Sequence, residues 1–343
     1  MFNCKAFTNH LCLTVNGNLQ PCCRFEGSSY NFDYKLPTYN NLEIKDNWVK
    51  GCEKCLLEEK SLKKSSYREF INSILSDTIQ IEYLELSISN HCNLACKMCN
   101  PDSSSLWNTL LDSNNELHNY MKKGKKTKID IDNLFKSIDL SNLKYLKYLG
   151  GEPFITPELE HLFIKLKKLN LTKNITFLTN TNVTFFPHKL LKYIDEFKNV
   201  KVALSVDGIG KLNDYIRYGK DWETVSKNIN LWKLYSNNKL NINIYFHTTV
   251  QAYNIHNLTE IKNYCKDNEI SYYPVILRRP EHLSINALPQ EYINKITNED
   301  NLEYIKNYKF DIKLYKKFLN YTKLLDKMTN LNFKQINSEW NYF

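Results

Sequence analysis

Between residues 83 and 277 the chain alternates two hydrophobic rhythms. Apolar and β-branched runs predict strands at YLELSIS (83–89), YLKYLG (145–150), NITFLTN (174–180), VKVALSV (200–206), NINIYFHTTV (241–250) and SYYPVIL (271–277). Between them, apolar residues recur at helical spacing. One set is Leu159, Leu162, Phe163, Leu166 and Leu169, with Thr156 at the cap position and Pro157 at the first helical position. Leu190, Leu191, Ile194 and Phe197 predict a second helix after Pro187. Val225, Ile229 and Trp232 predict a third, opened by Asp221. Such alternation predicts parallel strands with helical crossovers, an α/β class. Six strands fall short of a complete eight-stranded barrel, which leaves a partial barrel or an open doubly wound sheet.

The flanks read differently. Residues 1–62 are turn-rich, with a hairpin expected in LCLTVNGNLQP around Asn16-Gly17. Residues 63–82 read as a connecting helix and 83–280 as the core. Residues 281–343 form a helical extension, in which Leu314, Phe318, Tyr321, Leu325 and Met328 make one stripe suited to docking on the core.

Composition sharpens the picture. The 343 residues carry a formal charge of +9, and 42% are apolar, with 23 Tyr and 17 Phe. No 18-residue apolar run suggests a membrane helix. MFNCKAFTNH lacks a signal-peptide core, so a cytoplasmic protein is expected. The positive charge is scattered except at Lys122, Lys123, Lys125, Lys126 and Lys128, read as an exposed loop. Nine of the ten cysteines lie in the first hundred residues. Without a secretion signal, clustered thiols point to metal before disulfides.

The sharpest cluster is NHCNLACKMCN (90–100), where Cys92, Cys96 and Cys99 follow the first core strand with spacing C-x₃-C-x₂-C. Structural zinc normally takes four protein ligands, so three thiolates leave a coordination position open. At the end of the second strand stands Leu149-Gly150-Gly151-Glu152-Pro153, holding the only adjacent pair among nine glycines. A double glycine lets backbone approach a ligand closely. The two motifs together resemble the radical S-adenosylmethionine (SAM) superfamily over residues 83–277. That resemblance implies a partial (β/α)6 TIM-like barrel and a 4Fe–4S cluster held by Cys92, Cys96 and Cys99. The fourth iron would bind SAM through its methionine amino and carboxylate groups. One electron would cleave SAM to methionine and a 5′-deoxyadenosyl radical, which abstracts a substrate hydrogen. The resemblance further assigns SAM contacts to Leu149, Gly150, Gly151 and Glu152, to Ser205 in LSVDG, and to Arg217 in YIRYG. Asn180 in LTNTN matches less closely, because Thr181 stands where the family carries glycine. Met98 takes the place of a residue that packs on adenine.

The N-terminal cysteines form a second set. GNLQPCCRF followed by GCEKC reads generically as a zinc ribbon, yet it also resembles the auxiliary-cluster modules called SPASM and twitch. Here the module precedes the core, whereas in the family it usually follows. The resemblance implies an auxiliary 4Fe–4S cluster on Cys4, Cys22, Cys52 and Cys55, with Cys23 able to replace Cys22. Cys12 and Cys265 read as buried structural thiols.

The expected function is therefore a radical SAM oxidoreductase acting on a peptide or protein side chain. The alternatives are a small polar substrate (sugar, nucleotide or modified base) and a non-enzymatic metal-binding interaction protein. No separate peptide-recognition domain stands out at either end, which counts against a leader-peptide substrate. Implied partners are the substrate and an electron donor such as flavodoxin or ferredoxin; no membrane or nucleic-acid partner is expected. Asp207, His247, Arg278 and Arg279, near predicted strand ends, are pocket candidates.

Overall fold

The computed structural model describes residues 3–27, 30–31, 43–45, 48–60, 66–124, 129–337 and 340. Lys122 and Lys123 are exposed, whereas Lys125, Lys126 and Lys128 of the basic run lie outside the described residues, as do 63–65 of the expected connecting segment. The fold is α/β, with mostly parallel strands and a helical C-terminal region. It divides into two compact units, one built from 1–91, 125–179 and 188–200, the other from 92–124, 180–187 and 201–343.

In the first unit, strand Tyr83–Ser87 lies between two parallel neighbours. Tyr145–Leu149 pairs on one side, with Glu85 opposite Lys147, and His10–Leu13 on the other, with Cys12 opposite Glu85. Strand Thr176–Thr181 continues the order beyond Tyr145–Leu149. Within this unit Tyr83–Ser87, Tyr145–Leu149 and Thr176–Thr181 lie side by side in chain order without reversal, whereas a doubly wound sheet reverses at its switch point. The hairpin expected at Asn16-Gly17 forms between His10–Leu13 and Asn18–Gln20, and Gly17 takes a φ of 72° that its lack of a Cβ permits. Helix Pro157–Lys168 buries Leu159, Leu162, Phe163 and Leu166. Phe163 meets Phe177 edge-on at 5.0 Å. Each such side chain removed from water contributes about 1.5–3 kcal/mol. Thr156 does not cap this helix through its side chain. Its hydroxyl donates back to the Pro153 carbonyl at 2.7 Å, because a short 3₁₀ turn, Pro153–Ile155, immediately precedes it. The helix expected after Pro187 is short, Leu191–Ile194, and leaves Phe197 outside. Helix Tyr67–Ile74 starts with a capping box in which Ser66 and Glu69 satisfy each other's backbone N–H groups.

In the second unit, strand Ile242–Val250 alternates buried and more accessible positions and pairs in parallel with Ser271–Ile276. Asn199–Ser205 lies on its other side. Asp221 caps helix Trp222–Asn237 by accepting from the Thr224 N–H at 2.7 Å. The C-terminal helix Ile312–Thr329 docks the expected stripe: Phe318, Tyr321 and Leu325 are buried, and Tyr253 shares a 2.8 Å hydrogen bond with Thr322. Among the described residues, no helix is long and apolar enough to cross a membrane.

Candidate active site and metal centres

The three-cysteine loop belongs to the second unit, and its backbone is pinned at almost every residue. The segment Ala95–Cys96 pairs antiparallel with Arg217–Tyr218, placing Cys96 opposite Arg217. The Cys96 carbonyl accepts from the Trp107 indole at 3.0 Å, and the Lys97 carbonyl accepts from the Tyr321 hydroxyl at 3.0 Å. Ser105 and Cys92 exchange hydrogen bonds of 3.2 and 3.3 Å. With the backbone occupied this way, the thiols of Cys92, Cys96 and Cys99 are the side chains left to act; none forms a disulfide. Asn182 Nδ2 approaches Cys92 Sγ at 3.8 Å. A hydrogen bond between Cys96 and Cys99 holds Cys96 above the ordinary thiol range and draws Cys99 below it, while Arg217 pulls both down. Metal ligation requires thiolates, so a nearby guanidinium favours the ligating form.

Arg217 is itself buried. One nitrogen lies 2.7 Å from Asp207 Oδ2, another 3.8 Å from Cys96 Sγ, and Nε has no partner among the described residues. Asp207 Oδ1 also accepts from the Thr249 N–H at 2.7 Å. Burial pushes the Asp207 carboxyl above its ordinary range, and Arg217 and the Thr249 N–H pull the other way. Asp207 is thus the positioning partner of Arg217. Ser205 is half-buried at the end of its strand. His247 is half-buried and stacks on Tyr273 at 6.2 Å. Arg278 is exposed, and Arg279 lines a cavity together with Met98 and Cys99. Asn180 is half-buried at the end of Thr176–Thr181.

The double glycine lies in the first unit, where Leu149 closes its strand half-buried. A Cβ on Gly150 would stand 2.2 Å from the Ser89 carbonyl oxygen, and one on Gly151 2.1 Å from that of His91. Gly151 N–H donates to Ser89 O and Glu152 N–H to His91 O, both at 2.8 Å. The two glycines therefore let this turn lie backbone-to-backbone against the segment that leads into Cys92. Glu152 is fully buried and accepts from the Phe154 N–H at 3.2 Å.

Also in the first unit, Cys4, Cys22, Cys52 and Cys55 line one small pocket with Ala6, Phe7, Pro21, Tyr67 and Arg68. Burial pushes Cys4 up to about 11 and Cys52 up to about 12. Three of them feel another of the set: Cys4 the charge of Cys55, Cys52 that of Cys4 and Cys55, and Cys22 that of Cys4. Cys23 is exposed and turned to Lys147, whose Nζ lies 3.7 Å away. The donor chemistry, four thiols outside any disulfide around one pocket that also holds Arg68, fits an iron–sulfur centre whose binding displaces thiol protons. Among the described residues no three ligating side chains converge on a single metal ion. Cys12 and Cys265 are buried.

Three features escaped the pattern reading. Asp207 as the partner of Arg217 is separated from it by a loop and a helix. Lys97, between two motif cysteines, is buried with its ammonium 3.8 Å from the Tyr215 ring centroid, and burial lowers its pKa to about 7. In the first unit, buried Glu85 lies 2.9 Å from Lys147 and 3.4 Å from His10. The available signal was one charge at the centre of each of YLELS and YLKYL, opposite in sign and in register.

The family model described as Radical SAM superfamily matches residues 86–263. A GTP 3′,8-cyclase of Clostridium botulinum (strain Hall) is 26% identical over 133 residues, covering 38% of this chain and 36% of that protein. The same enzyme of Aquifex aeolicus is 22% identical over 156 residues, covering 45% and 42%. The match thus spans well under half the length of either relative. Among solved structures, native anSMEcpe with bound AdoMet is 20% identical, covering 71% of this chain and 60% of that one, with a TM-score of 0.44. Streptococcus suis SuiB bound to S-adenosylmethionine is 18% identical, covering 68% and 48%, with a TM-score of 0.37.

Proposed function

Because the chain belongs to the radical SAM superfamily, we propose that it is an oxidoreductase that cleaves SAM reductively at the Cys92–Cys99 loop and removes a hydrogen atom from a substrate. The observation that carries this is the loop itself: three thiols outside any disulfide on a pinned backbone, with a buried guanidinium beside Cys96. Cys92, Cys96 and Cys99 would hold a 4Fe–4S cluster with one iron open to SAM. When bound, cluster and SAM supply one-electron cleavage and a carbon radical; the protein supplies position and shelter. Arg217, with its unpartnered Nε, would receive the SAM carboxylate while Asp207 fixes its plane. Ser205, Asn180 and Met98 would contact the remainder of SAM, and Leu149, Gly150, Gly151 and Glu152 its methionine part.

Cys4, Cys22, Cys52 and Cys55 would hold an auxiliary 4Fe–4S cluster in the module 1–62, with 63–82 as connector, 83–280 as radical core and 281–343 as extension. The four-thiol pocket supports this ligand set, with Cys22 in it and Cys23 outside. An auxiliary-cluster module favours a peptide or protein side chain as substrate, and one solved structure of SuiB is bound to the precursor peptide SuiA. A small polar substrate (sugar, nucleotide or modified base) is the second reading; the curated relatives are named GTP 3′,8-cyclase. An external electron donor such as flavodoxin or ferredoxin would supply the electron.

The test is SAM cleavage by anaerobically isolated, cluster-loaded protein with a chemical reductant. Cys92→Ala, Cys96→Ala and Cys99→Ala should each abolish 5′-deoxyadenosine formation. Normal cleavage by any one of them overturns the reading.

A further inference from the structure

We propose that Asn182 is a positioning residue of the cysteine loop: its side-chain amide donates to the sulfur of Cys92 and raises the reduction potential of the cluster that this sulfur would ligate. This rests on the reading of the Cys92–Cys99 loop as the cluster site. The residues concerned all lie in the second unit. Asn182 is 7% exposed, and its Nδ2 stands 3.8 Å from Cys92 Sγ, within reach of a sulfur acceptor. Which end of the amide faces the sulfur is fixed by its other end. The Thr184 backbone N–H can only donate, and it lies 3.0 Å from Asn182 Oδ1, so that atom is the oxygen and Nδ2 turns to Cys92. A second set of contacts agrees. Thr184 Oγ1 donates to the same Oδ1 at 2.7 Å and accepts from Asn93 Nδ2 at 2.8 Å, and Asn93 Oδ1 accepts from Asn182 Nδ2 at 2.9 Å. Asn93, Asn182 and Thr184 thus close a ring of hydrogen bonds, and Asn93 follows Cys92 directly in the chain. The amide nitrogen carries two hydrogens, one for Asn93 and one for the sulfur.

The backbone is bent to make this arrangement. Val183 is fully buried and takes a φ of 62°, a left-handed conformation that a β-branched residue adopts only under constraint. The constraint comes from both sides. The Val183 N–H donates to Thr181 Oγ1 at 3.1 Å, and the Val183 carbonyl accepts from Asn228 Nδ2 of helix Trp222–Asn237 at 2.8 Å. Strain of this kind persists where the surrounding structure over-determines it, and it gathers at functional sites. Here it sets Asn182 and Thr184 side by side and aims the amide at a cysteine of the three-thiol loop. A thiolate bound to iron becomes more electron-rich when its cluster gains an electron. An N–H donor held against that sulfur therefore favours the reduced form, as hydrogen bonds to cluster sulfurs do in general.

Redox titration of the anaerobically isolated, cluster-loaded full chain, followed by electron paramagnetic resonance, tests this. The signal that changes on addition of SAM identifies the cluster of the Cys92–Cys99 loop. Asn182→Ala should retain its iron, and at a fixed applied potential its ratio of reduced to oxidised cluster should fall about threefold or more. Asn182→Asp keeps the acceptor for Thr184, puts an oxygen where the amide N–H stood, and should lower the ratio further. Loosened packing alone would not rank the potentials wild type, Ala, Asp from high to low. An unchanged potential in Asn182→Ala, a potential in Asn182→Asp above that of Asn182→Ala, or loss of iron from Asn182→Ala overturns the proposal. A SAM-sensitive cluster indifferent to Asn182 sinks this proposal alone and leaves the radical reading standing. Absence of any SAM-sensitive cluster from the wild-type protein sinks the radical reading, and this proposal with it.

Discussion

Asp207→Asn isolates the charge that holds Arg217. The substitution keeps the side-chain volume and keeps an oxygen for the Thr249 N–H, which lies 2.7 Å from Oδ1. It removes the negative charge 2.7 Å from the Arg217 guanidinium, and both groups are buried, with Asp207 at 0% exposure. Losing one member of such a pair leaves an uncompensated charge inside the protein, at a cost of about 3–5 kcal/mol. The retained hydrogen bond and polar amide place this case near the low end, about 3 kcal/mol. With a urea slope of about 3 kcal/mol/M, the unfolding midpoint should fall by about 1 M. Arg217→Gln and the double variant complete a cycle. Because the double variant no longer buries a lone charge, its loss should be smaller than the sum of the two single losses by about 2 kcal/mol or more. Additive losses, or an Asp207→Asn loss below about 1 kcal/mol, would refute the argument that this pair governs Arg217.

Four further outcomes follow from named contacts. Arg217→Ala should weaken SAM binding in a titration while iron content stays unchanged; unaltered affinity removes Arg217 from the SAM site. Cys23→Ser should retain the irons of a second cluster, about four per chain beyond the first, and Cys22→Ser should lose them; elemental analysis after anaerobic isolation decides, and stoichiometric zinc in place of iron and sulfide would leave a zinc ribbon there. Gly151→Ala should destabilise by about 1–3 kcal/mol or more in thermal unfolding, because its Cβ would fall 2.1 Å from a backbone oxygen that cannot move aside. Burial raises the Glu82 carboxyl, but Lys144 at 2.7 Å and the Ser76 N–H and hydroxyl outweigh it and lower its pKa from 4.5 to about 2. The stability it contributes is present above about pH 4.5 and lost as pH falls towards about 2, so Glu82→Gln should flatten the unfolding profile across that window.

What could be read in advance was what depends on near neighbours along the chain. Alternating apolar residues specify strands and 3.6-residue spacing specifies helices, because each pattern turns one face to a core. Cys92, Cys96 and Cys99 are grouped within eight residues, and Gly150-Gly151 by adjacency, so both motifs stand out without any fold. Helix boundaries were less secure: Thr156 has a capping residue's identity, yet a preceding 3₁₀ turn redirects its hydroxyl to Pro153.

The tertiary structure decided what depends on residues distant in sequence. Cys22 and Cys23 are equivalent by pattern, but neighbouring side chains project in different directions. Packing of Cys4, Cys52, Cys55 and Tyr67 around one pocket takes Cys22 and leaves Cys23 beside Lys147. The glycine pair could be read as making room for a ligand, whereas its nearest obstacle is the backbone of Ser89 and His91, some sixty residues earlier. Asp207 meets Arg217, and Glu85 meets Lys147, only once strands and the loops after them are in register. Local pattern carries information about which face of an element is buried. It carries none about which buried charge faces which, because that pairing depends on the register between segments distant in sequence.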